Sequence, residues 1–251
     1  MRQNSPNSIS AQYLTNGDRA LTVCLSDKVS IPNNRMVNAL KRAFEDSPVK
    51  GVTELLPTYC AVTVFYDPIE IGYTELIAAC KQRVSQIGRY LNSAAAEEWV
   101  LEVPVLYGGE WGFDLPDIAA YHNMTEQQII DIHTGYPFYT YMLGFTPGHG
   151  YLASENPLTI PRRSSPRACV TAGSVVVMQN MSVIEPIDSP NGWNVIGKTP
   201  LRVFNMADKD PFVIKQGLWV QFKAIDREEY DRIEQQVQSD TYQLVLRRKE
   251  A

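Results

Sequence analysis

Apolar residues in the first hundred positions alternate between strand-like runs and stretches with helical spacing. The strand-like runs lie at residues 20–25, 51–56, 59–66 and 99–105. A helix capped by Asn33 and ending before Pro48 is expected after the first run, and a second helix spans about residues 73–91. Strands packed against two helices on one face predict an α+β N-terminal domain, a ferredoxin-like sandwich, over residues 1–97.

Beyond the first hundred residues the pattern predicts two short helices. Asp114 is expected to cap the first helix, which runs through Tyr121. Thr125 and Gln128 have the spacing of a capping box for the second helix, which ends at Gly135.

After these helices, short β-type runs are separated by proline and glycine. They lie at residues 138–143, 174–185, 193–198 and 217–225. This spacing predicts a barrel or a curled sheet, so residues 98–226 are expected to form a mainly-β domain. An amphipathic helix over residues 226–238 and a short run at 242–246 predict a C-terminal helix and tail, residues 227–251.

Composition and charge narrow the function classes. Hydrophobic residues make up 44% and charged residues 20% of the 251 residues, as in ordinary globular proteins, and the net charge is -5. An acidic chain lacks the basic face that is typical of nucleic-acid binders. No apolar run reaches the roughly 18 residues of a membrane span, and the polar start, residues 1–10, predicts no signal peptide. We therefore expect a cytoplasmic protein that binds neither nucleic acid nor membranes.

Cysteines and histidines offer little candidate chemistry. The four cysteines lie far apart without a CxxC pair, and the three histidines lack metal-ligand spacing, so no metal site is expected. His133 falls in the last turn of a predicted helix, where the helix dipole would stabilise its charged form. Both a capping role and a functional role fit that position. His149 lies between two glycines in a predicted turn.

One segment, Gly192 to Thr199, matches the phosphate-loop pattern. A working loop needs small residues whose amides wrap the phosphates, and it must open a helix. Here the spacer residues are Trp, Asn, Val and Ile, which favour a strand, and Pro200 follows directly. We therefore interpret the match as a β-hairpin arm. Ser174 lacks the surrounding pattern of a nucleophile elbow and is interpreted as structural.

Three arginines, Arg162, Arg163 and Arg167, lie within six positions among prolines. Proline restricts φ and biases the preceding residue toward extended geometry, so these guanidinium groups are expected on a stiff, non-helical segment. Planar guanidinium groups bind carboxylate or phosphate through paired hydrogen bonds. The segment predicts the rim of an anion-binding pocket, with Arg163 and Arg167 as the preferred pair. Surface arginines in an irregular loop are the alternative interpretation.

The arginine segment belongs to an ordered set of motifs. The set comprises Glu102–Leu115, Ile132–Thr134, Tyr141–Gly148, Pro161–Arg163, Pro166–Arg167, Ala172–Val175 and Gly192–Leu201. In this order the motifs resemble the family that includes the B-type subunit of 5-oxoprolinase, allophanate hydrolase subunit 1 domains and a bacterial inhibitor of sporulation histidine kinases. The resemblance covers nearly the whole chain and implies an N-terminal α/β domain followed by a cyclophilin-like barrel.

The resemblance also implies an activity, the ATP-dependent opening of the 5-oxoproline lactam to glutamate. The chain would act as one subunit, beside a homologous C-type partner subunit and, in 5-oxoprolinase, an A-type subunit. Arg163 and Arg167 would hold the substrate carboxylate or the developing phosphate charge, and His133 would serve as acid or base. The expected substrate-binding residues are Arg162, Pro147, Gly148, Gly173, Ser174 and Trp193.

The chain departs from the family's motifs in two runs. Residues 147–152 read Pro-Gly-His-Gly-Tyr-Leu where family members have Pro-Gly-Phe-Pro-Tyr-Leu. Residues 176–186 read Val-Val-Met-Gln-Asn-Met-Ser-Val-Ile-Glu-Pro against Gly-Ile-Ala-Gly-Ser-Gln-Thr-Gly-Ile-Tyr-Pro in the family. Met181 replaces a glutamine amide, and Val176, Gln179 and Val183 replace three glycines, which closes space where a ligand could approach the backbone.

These departures keep a second function open. They favour a non-catalytic regulatory binding protein, such as a histidine-kinase inhibitor, whereas the retained arginine motifs favour the hydrolase subunit. Prolyl isomerisation, suggested by the barrel type alone, has less support because fold does not fix function.

Overall fold

The computed structural model describes residues 9–94 and 98–249 of the chain. The chain divides into two compact units, residues 1–97 and 98–251. The boundary predicted at residues 93–98 includes residues 95–97, which lie outside the described part.

The first unit is a four-stranded antiparallel sheet with two helices. Its elements are β1 (Gln12–Thr15), β2 (Ala20–Cys24), α1 (Ile31–Asp46), β3 (Val52–Pro57), β4 (Ala61–Tyr66) and α2 (Tyr73–Ala94). The strand order in the sheet is β1-β2-β4-β3. The predicted strands and both helices are therefore confirmed, and their apolar faces share one core in which residues such as Leu40, Val64 and Leu76 have no exposed surface.

The predicted cap of α1 is wrong. The helix begins at Ile31, and the Oγ of Ser30 accepts a hydrogen bond from the N–H of Asn33. Pro32 fits the first turn because its missing N–H would find no partner there. The side chain of Asn33 instead donates to the Oγ of Ser26 and the carbonyl of Lys28, both at 2.8 Å.

The ferredoxin-like order is not confirmed. A ferredoxin-like sheet places the strand after the second helix beside the first strand. Here that place beside β2 is taken by β1, which precedes β2 in the chain and pairs with it from Gln12 to Thr15.

The second unit contains ten strands and three helices in its described part. They are β5 (Trp99–Tyr107), α3 (Leu115–His122), α4 (Glu126–Gly135), β6 (Phe138–Leu143), β7 (Gly150–Ala153), β8 (Arg167–Val170), β9 (Ser174–Met178), β10 (Met181–Ile184), β11 (Ser189–Asn191), β12 (Asn194–Lys198), β13 (Trp219–Ala224), α5 (Arg227–Gln238) and β14 (Leu246–Arg248). The capping box of Thr125 and Gln128 is confirmed at the start of α4. The run at 242–246, for which a strand and a fraying tail were both open, precedes a strand that begins at Leu246, β14.

Seven of these strands close into a barrel, which confirms the predicted barrel. The order β12-β9-β10-β7-β6-β13-β5 closes through a pairing of β12 with β5, at Gly197 opposite Tyr107. β5 is long enough to pair with β12 at its end and with β14 at its start. The 174–185 run splits into the β9–β10 hairpin at Gln179, whose φ of 52° is left-handed. β8 and β11 form a separate two-stranded ribbon.

Alternate residues of the barrel strands form the main core of this unit. The core includes Leu101, Val103, Val105, Phe138, Leu152, Val175, Val177, Ile184, Ile196, Val220 and Phe222. The helices α3 and α4 add Leu115 and Ile129 to it. Among the described residues, no helix combines the length and the apolar character that crossing a membrane requires.

A second core lies on the opposite face of the β9–β10 hairpin. Val176 and Val183 pair directly across this hairpin and are fully buried. They pack with Val170 of the ribbon, Val195 of β12 and the half-buried Trp193. This valine cluster fills the space between the barrel wall and the β8–β11 ribbon.

Gly197 at the closure of the barrel tolerates no side chain. An added Cβ would lie 2.7 Å from the carbonyl oxygen of Leu106 and 2.8 Å from Cγ1 of Val105. We expect Gly197→Ala to lower the free energy of unfolding of the second unit by about 1–3 kcal/mol. Urea unfolding followed by tryptophan fluorescence measures it, because all four tryptophans lie in this unit. Gly135→Ala, whose Cβ meets nothing within 4 Å, is the control. Equal stability of the two variants would contradict the close packing described for Gly197.

Candidate functional site

A buried carboxylate, Asp114, holds two of the predicted arginines. The side chain of Asp114 is 2% exposed. Its Oδ1 accepts from Nη1 of Arg163 and Nη2 of Arg167, and its Oδ2 accepts from Nη1 of Arg167, each at 2.7 Å. Oδ2 also accepts the backbone N–H of Val195 at 2.8 Å. Asp114 is the N-cap residue of α3, as predicted, but its carboxylate makes no cap hydrogen bond.

The structure brings Arg163 and Arg167 together, as the sequence predicted. Two guanidinium groups share one carboxylate, so the cluster keeps one positive charge in excess. The side chains of Arg163 and Arg167 remain 27% and 25% exposed. Nε of Arg163 is itself buried and has no hydrogen-bond partner in the described part of the chain. The ring of Phe113 lies 4.4 Å from the Arg167 guanidinium. The cluster therefore presents oriented donors and a net positive charge at a partly open surface.

Arg162 and Arg163 both rest on Gly192. A Cβ added at Gly192 would lie 2.8 Å from Nε of Arg162, so the Arg162 side chain passes directly over this glycine. The N–H of Arg163 donates to the carbonyl of Gly192 at 3.0 Å. Arg162 itself is exposed. The arginine loop, residues 161–167, thus packs against the turn that precedes β12.

Glu185 is a site residue that the sequence analysis missed. It has no exposed surface. Its Oε2 accepts from the hydroxyl of Ser189 at 2.9 Å, and its Oε1 accepts a short hydrogen bond from the side-chain amide of Asn191. Burial raises the pKa of Glu185, while the hydrogen bonds from Ser189 and Asn191 oppose that shift. A buried carboxylate thus holds the segment that leads to Gly192.

His149 lies beside Glu185. Its Nδ1 is 3.8 Å from Oε2 of Glu185, too far for a hydrogen bond, and is buried without a partner among the described residues. Burial lowers the pKa of His149 to about 4, so the ring is neutral near pH 7. The rings of Phe145 and Tyr151 flank it at 5.3 and 5.0 Å between centroids.

Two of the predicted residues, Gly173 and Ser174, bond to the backbone of Glu185, and Gly148 packs beside Pro186, the residue that follows Glu185. The N–H of Gly173, whose φ is 82°, donates to the carbonyl of Glu185 at 2.8 Å. The N–H of Glu185 donates to the carbonyl of Ser174 at 2.9 Å. Gly148, with φ 83°, packs so closely that an added Cβ would lie 2.7 Å from Phe204 and 3.1 Å from Pro186. The preceding Pro147 is exposed.

His133 has a different environment. It is 1% exposed, with its ring 5.0 Å from Phe138 and 4.5 Å from Phe222 between centroids. Nδ1 shares a hydrogen bond with the hydroxyl of Tyr107 at 2.7 Å, and Nε2 lies 3.2 Å from the Oγ of Ser182. Burial lowers the pKa of His133 to about 3. Both ring nitrogens already have partners, so the ring has none to offer a substrate, and the expected acid–base role has no support from this placement.

The phosphate-loop match does not fit a nucleotide. Residues 194–198 form β12, and Nζ of Lys198 lies 4.3 Å over the ring of Trp111. ATP would need free amides at a helix start, which this strand does not provide. Among the described residues, no three His, Cys, Asp or Glu side chains are grouped so as to hold a metal ion.

Removing the Asp114 charge should destabilise the second unit. Asp114→Asn leaves two neighbouring guanidinium groups without a counter-ion. We expect a loss of about 3 kcal/mol, at the low end for a broken buried pair because both arginines are partly exposed. Urea unfolding followed by tryptophan fluorescence measures the loss. The exposed Asp117→Asn should cost less than about 1 kcal/mol, and a similar loss for both variants would refute the role of Asp114.

Burial of His133 should make the fold sensitive to acid. Its folded-state pKa of about 3 lies below the ordinary 6.5, so the unfolded chain binds the proton first as the pH falls. Stability that is present above pH 6.5 is therefore lost progressively toward pH 3. Between pH 7 and pH 4, His133→Gln should lose about 3 kcal/mol less than the unmodified chain in urea unfolding. His122→Gln keeps both buried histidines and should retain the full loss; equal losses in the two variants would contradict this account.

Comparison with known proteins places the chain in a family. The profile of the family "Carboxyltransferase domain, subdomain C and D" matches residues 11–214. The B-type subunit of 5-oxoprolinase from Bacillus subtilis (strain 168) is 33% identical over 223 residues, which cover 85% of this chain and 92% of that protein.

Two solved structures share the architecture. The crystal structure of TTHA0988 is 30% identical with a TM-score of 0.72; the match covers 83% of this chain and 40% of that chain, so this chain spans less than half of it. The urea amidolyase of K. lactis, 15% identical, matches 99% of this chain and 17% of that chain with a TM-score of 0.77, which shows the fold alone. The chain therefore belongs to the family of the carboxyltransferase domain, subdomain C and D, which includes the B-type subunit of 5-oxoprolinase.

Proposed function

We propose that this chain is the B-type subunit of an ATP-dependent 5-oxoprolinase, which opens the lactam of 5-oxoproline to give glutamate. The observation that carries the proposal is the 33% identity to the Bacillus subtilis B-type subunit over 92% of that protein's length. The same relationship implies a cyclophilin-like barrel, a cytoplasmic setting, and assembly with a homologous C-type subunit and an A-type subunit.

Within this assembly, Arg163 and Arg167 bind the substrate anion. The cluster with Asp114 keeps one positive charge, and the ion pairs fix both guanidinium planes before a ligand arrives. Oriented cationic donors at a partly dry surface bind a carboxylate or a developing phosphate charge more strongly than mobile surface arginines do. Arg162, laid over Gly192, adds a third cation at the same turn.

The acid–base and nucleotide steps are not assigned to residues of this chain. His133 has both ring nitrogens engaged, and the phosphate-loop match forms a strand. ATP supplies a phosphoryl group that activates the lactam oxygen, and this chain's part is to bind and orient the anionic substrate.

The proposal predicts that activity depends on the planar, two-pronged guanidinium group of Arg167 and not on its positive charge alone. Co-expressed with the C-type and A-type subunits, the chain should support ATP-dependent release of glutamate from 5-oxoproline. Arg167→Lys keeps a charge beside Asp114 but loses the two-pronged geometry, and kcat/KM should fall about tenfold or more. The exposed Arg202→Lys is the matched control and should keep full activity. A folded Arg167→Lys assembly with unchanged kcat/KM would remove the proposed role.

The valine cluster favours a second function, that of a non-catalytic regulatory protein such as a histidine-kinase inhibitor. Val176 and Val183 are fully buried and, with Val195, fill the outer face of the barrel wall. Valine side chains in place of glycines take up the space in which a substrate could approach the backbone, which favours a binding protein over an active site. No glutamate release from the complete assembly, together with tight binding of a histidine kinase in calorimetry, would establish this alternative instead.

A further inference from the structure

The network around Glu185 reaches every arginine of the proposed anion site. Glu185 accepts from Ser189 and Asn191, and Oδ1 of Asn191 accepts the N–H of Trp193 at 2.7 Å. The carboxylate therefore holds Ser189 and Asn191 of the turn segment, residues 189–193, and Asn191 in turn holds Trp193.

The turn segment in turn carries the arginine loop. Asn191 lies opposite Arg167 in the β11–β8 ladder. The carbonyl of Gly192 accepts the N–H of Arg163 at 3.0 Å, and its Cα supports the side chain of Arg162. One residue beyond the turn segment, the side-chain amide of Asn194 donates to the carbonyl of Pro161 at 2.9 Å. A shift of the turn segment would move all three guanidinium groups.

The burial of the Glu185 carboxylate costs free energy unless hydrogen-bond donors compensate for the lost water. A carboxylate without exposed surface stays in a fold only when donors satisfy it. Its two donors both come from the turn segment, and the neighbouring His149 offers none, because its Nδ1 lies 3.8 Å away without bonding. The structure thus uses the oxygens of Glu185 to hold this one segment.

We propose that Glu185 is a positioning residue for the anion site, holding the turn segment so that Arg162, Arg163 and Arg167 face one ligand. The inference rests on the proposed function in one respect, that the ligand is the anionic substrate. Glu185 itself does not touch the ligand, and it acts through Asn191 and Gly192.

Two variants separate this positioning role from a purely electrostatic one. Glu185→Met and Glu185→Gln both replace the carboxyl group by an uncharged side chain, so neither can carry a negative charge. If the charge alone mattered, both variants would bind an anion more tightly. Glu185→Gln keeps an acceptor for Asn191, since the hydroxyl of Ser189 can rotate to accept from the new amide. Glu185→Met leaves the buried amide of Asn191 unpaired.

The experiment measures binding of inorganic phosphate and of 5-oxoproline to the full chain by calorimetry. We expect Glu185→Met to weaken binding about tenfold and Glu185→Gln to bind within about threefold of the unmodified chain or more tightly. The exposed Glu155→Gln is the control for a lost surface charge. Affinity of a folded Glu185→Met variant that equals or exceeds that of the unmodified chain would overturn the inference. If that variant does not fold, Asn191→Ala takes its place, because it breaks the same contact with the Glu185 charge retained.

A second readout does not depend on the ligand. The Nε–H signals of Arg163 and Arg167 in nuclear magnetic resonance spectra report how firmly both side chains are held. They should shift and broaden in Glu185→Met but not in Glu185→Gln; unchanged signals in a folded Glu185→Met variant would overturn the positioning role. If the unmodified chain binds neither probe, the proposed anion site fails, and these signals decide the positioning role by themselves.

Discussion

The arginine loop depends on the neutralisation of one buried carboxylate, that of Asp114. Without donors this group would destabilise the barrel wall by several kcal/mol, and the chain supplies two guanidinium groups and the amide of Val195. Because Val195 belongs to β12, the loop is tied to the strand that closes the barrel. Asp114 fixes the loop from the side of α3, and Glu185 fixes the turn segment beneath it.

Regular elements were predictable because their signals are local and repeated. The strand at 138–143 and the capping box at Thr125 follow from periodicity and spacing, and both are found. The cap at Asn33 was wrong because several neighbouring residues can cap, and the sequence alone does not decide between them. Ser30 caps α1, whose first turn contains a proline. Asp114 is the N-cap residue of α3, but tertiary partners take its side chain. The carboxylate of Asp114 instead binds arginines about fifty residues away in the chain. The strand order of the first unit depends on which strand borders β2, which no local pattern records.

The site was predictable only where its residues are dense in sequence. Three arginines among prolines form such a signal, and Arg163 and Arg167 do converge. Glu185 is a single acidic residue between Ile184 and Pro186, a context typical of an exposed turn, and only the fold shows that it is buried. Two departures from the family's motifs did point to this region. Glu185 and His149 replace a tyrosine and a phenylalanine of the family, and the two side chains lie next to each other in the fold. The helix-end position of His133 suggested a cation, but packing against Phe138 and Phe222 keeps it neutral.

One edge of β5 is shared by β12 and β14, and this has a consequence for shortened versions of the protein. β14 covers the start of β5, pairing Leu246 with Leu101 and Arg248 with Trp99, whereas β12 covers its end. A chain shortened before Leu246 would leave the amides and carbonyls at the start of β5 as an open sheet edge, next to the partly exposed Trp99. Open edges recruit strands from other molecules, so such a truncation would promote self-association rather than merely trim a tail.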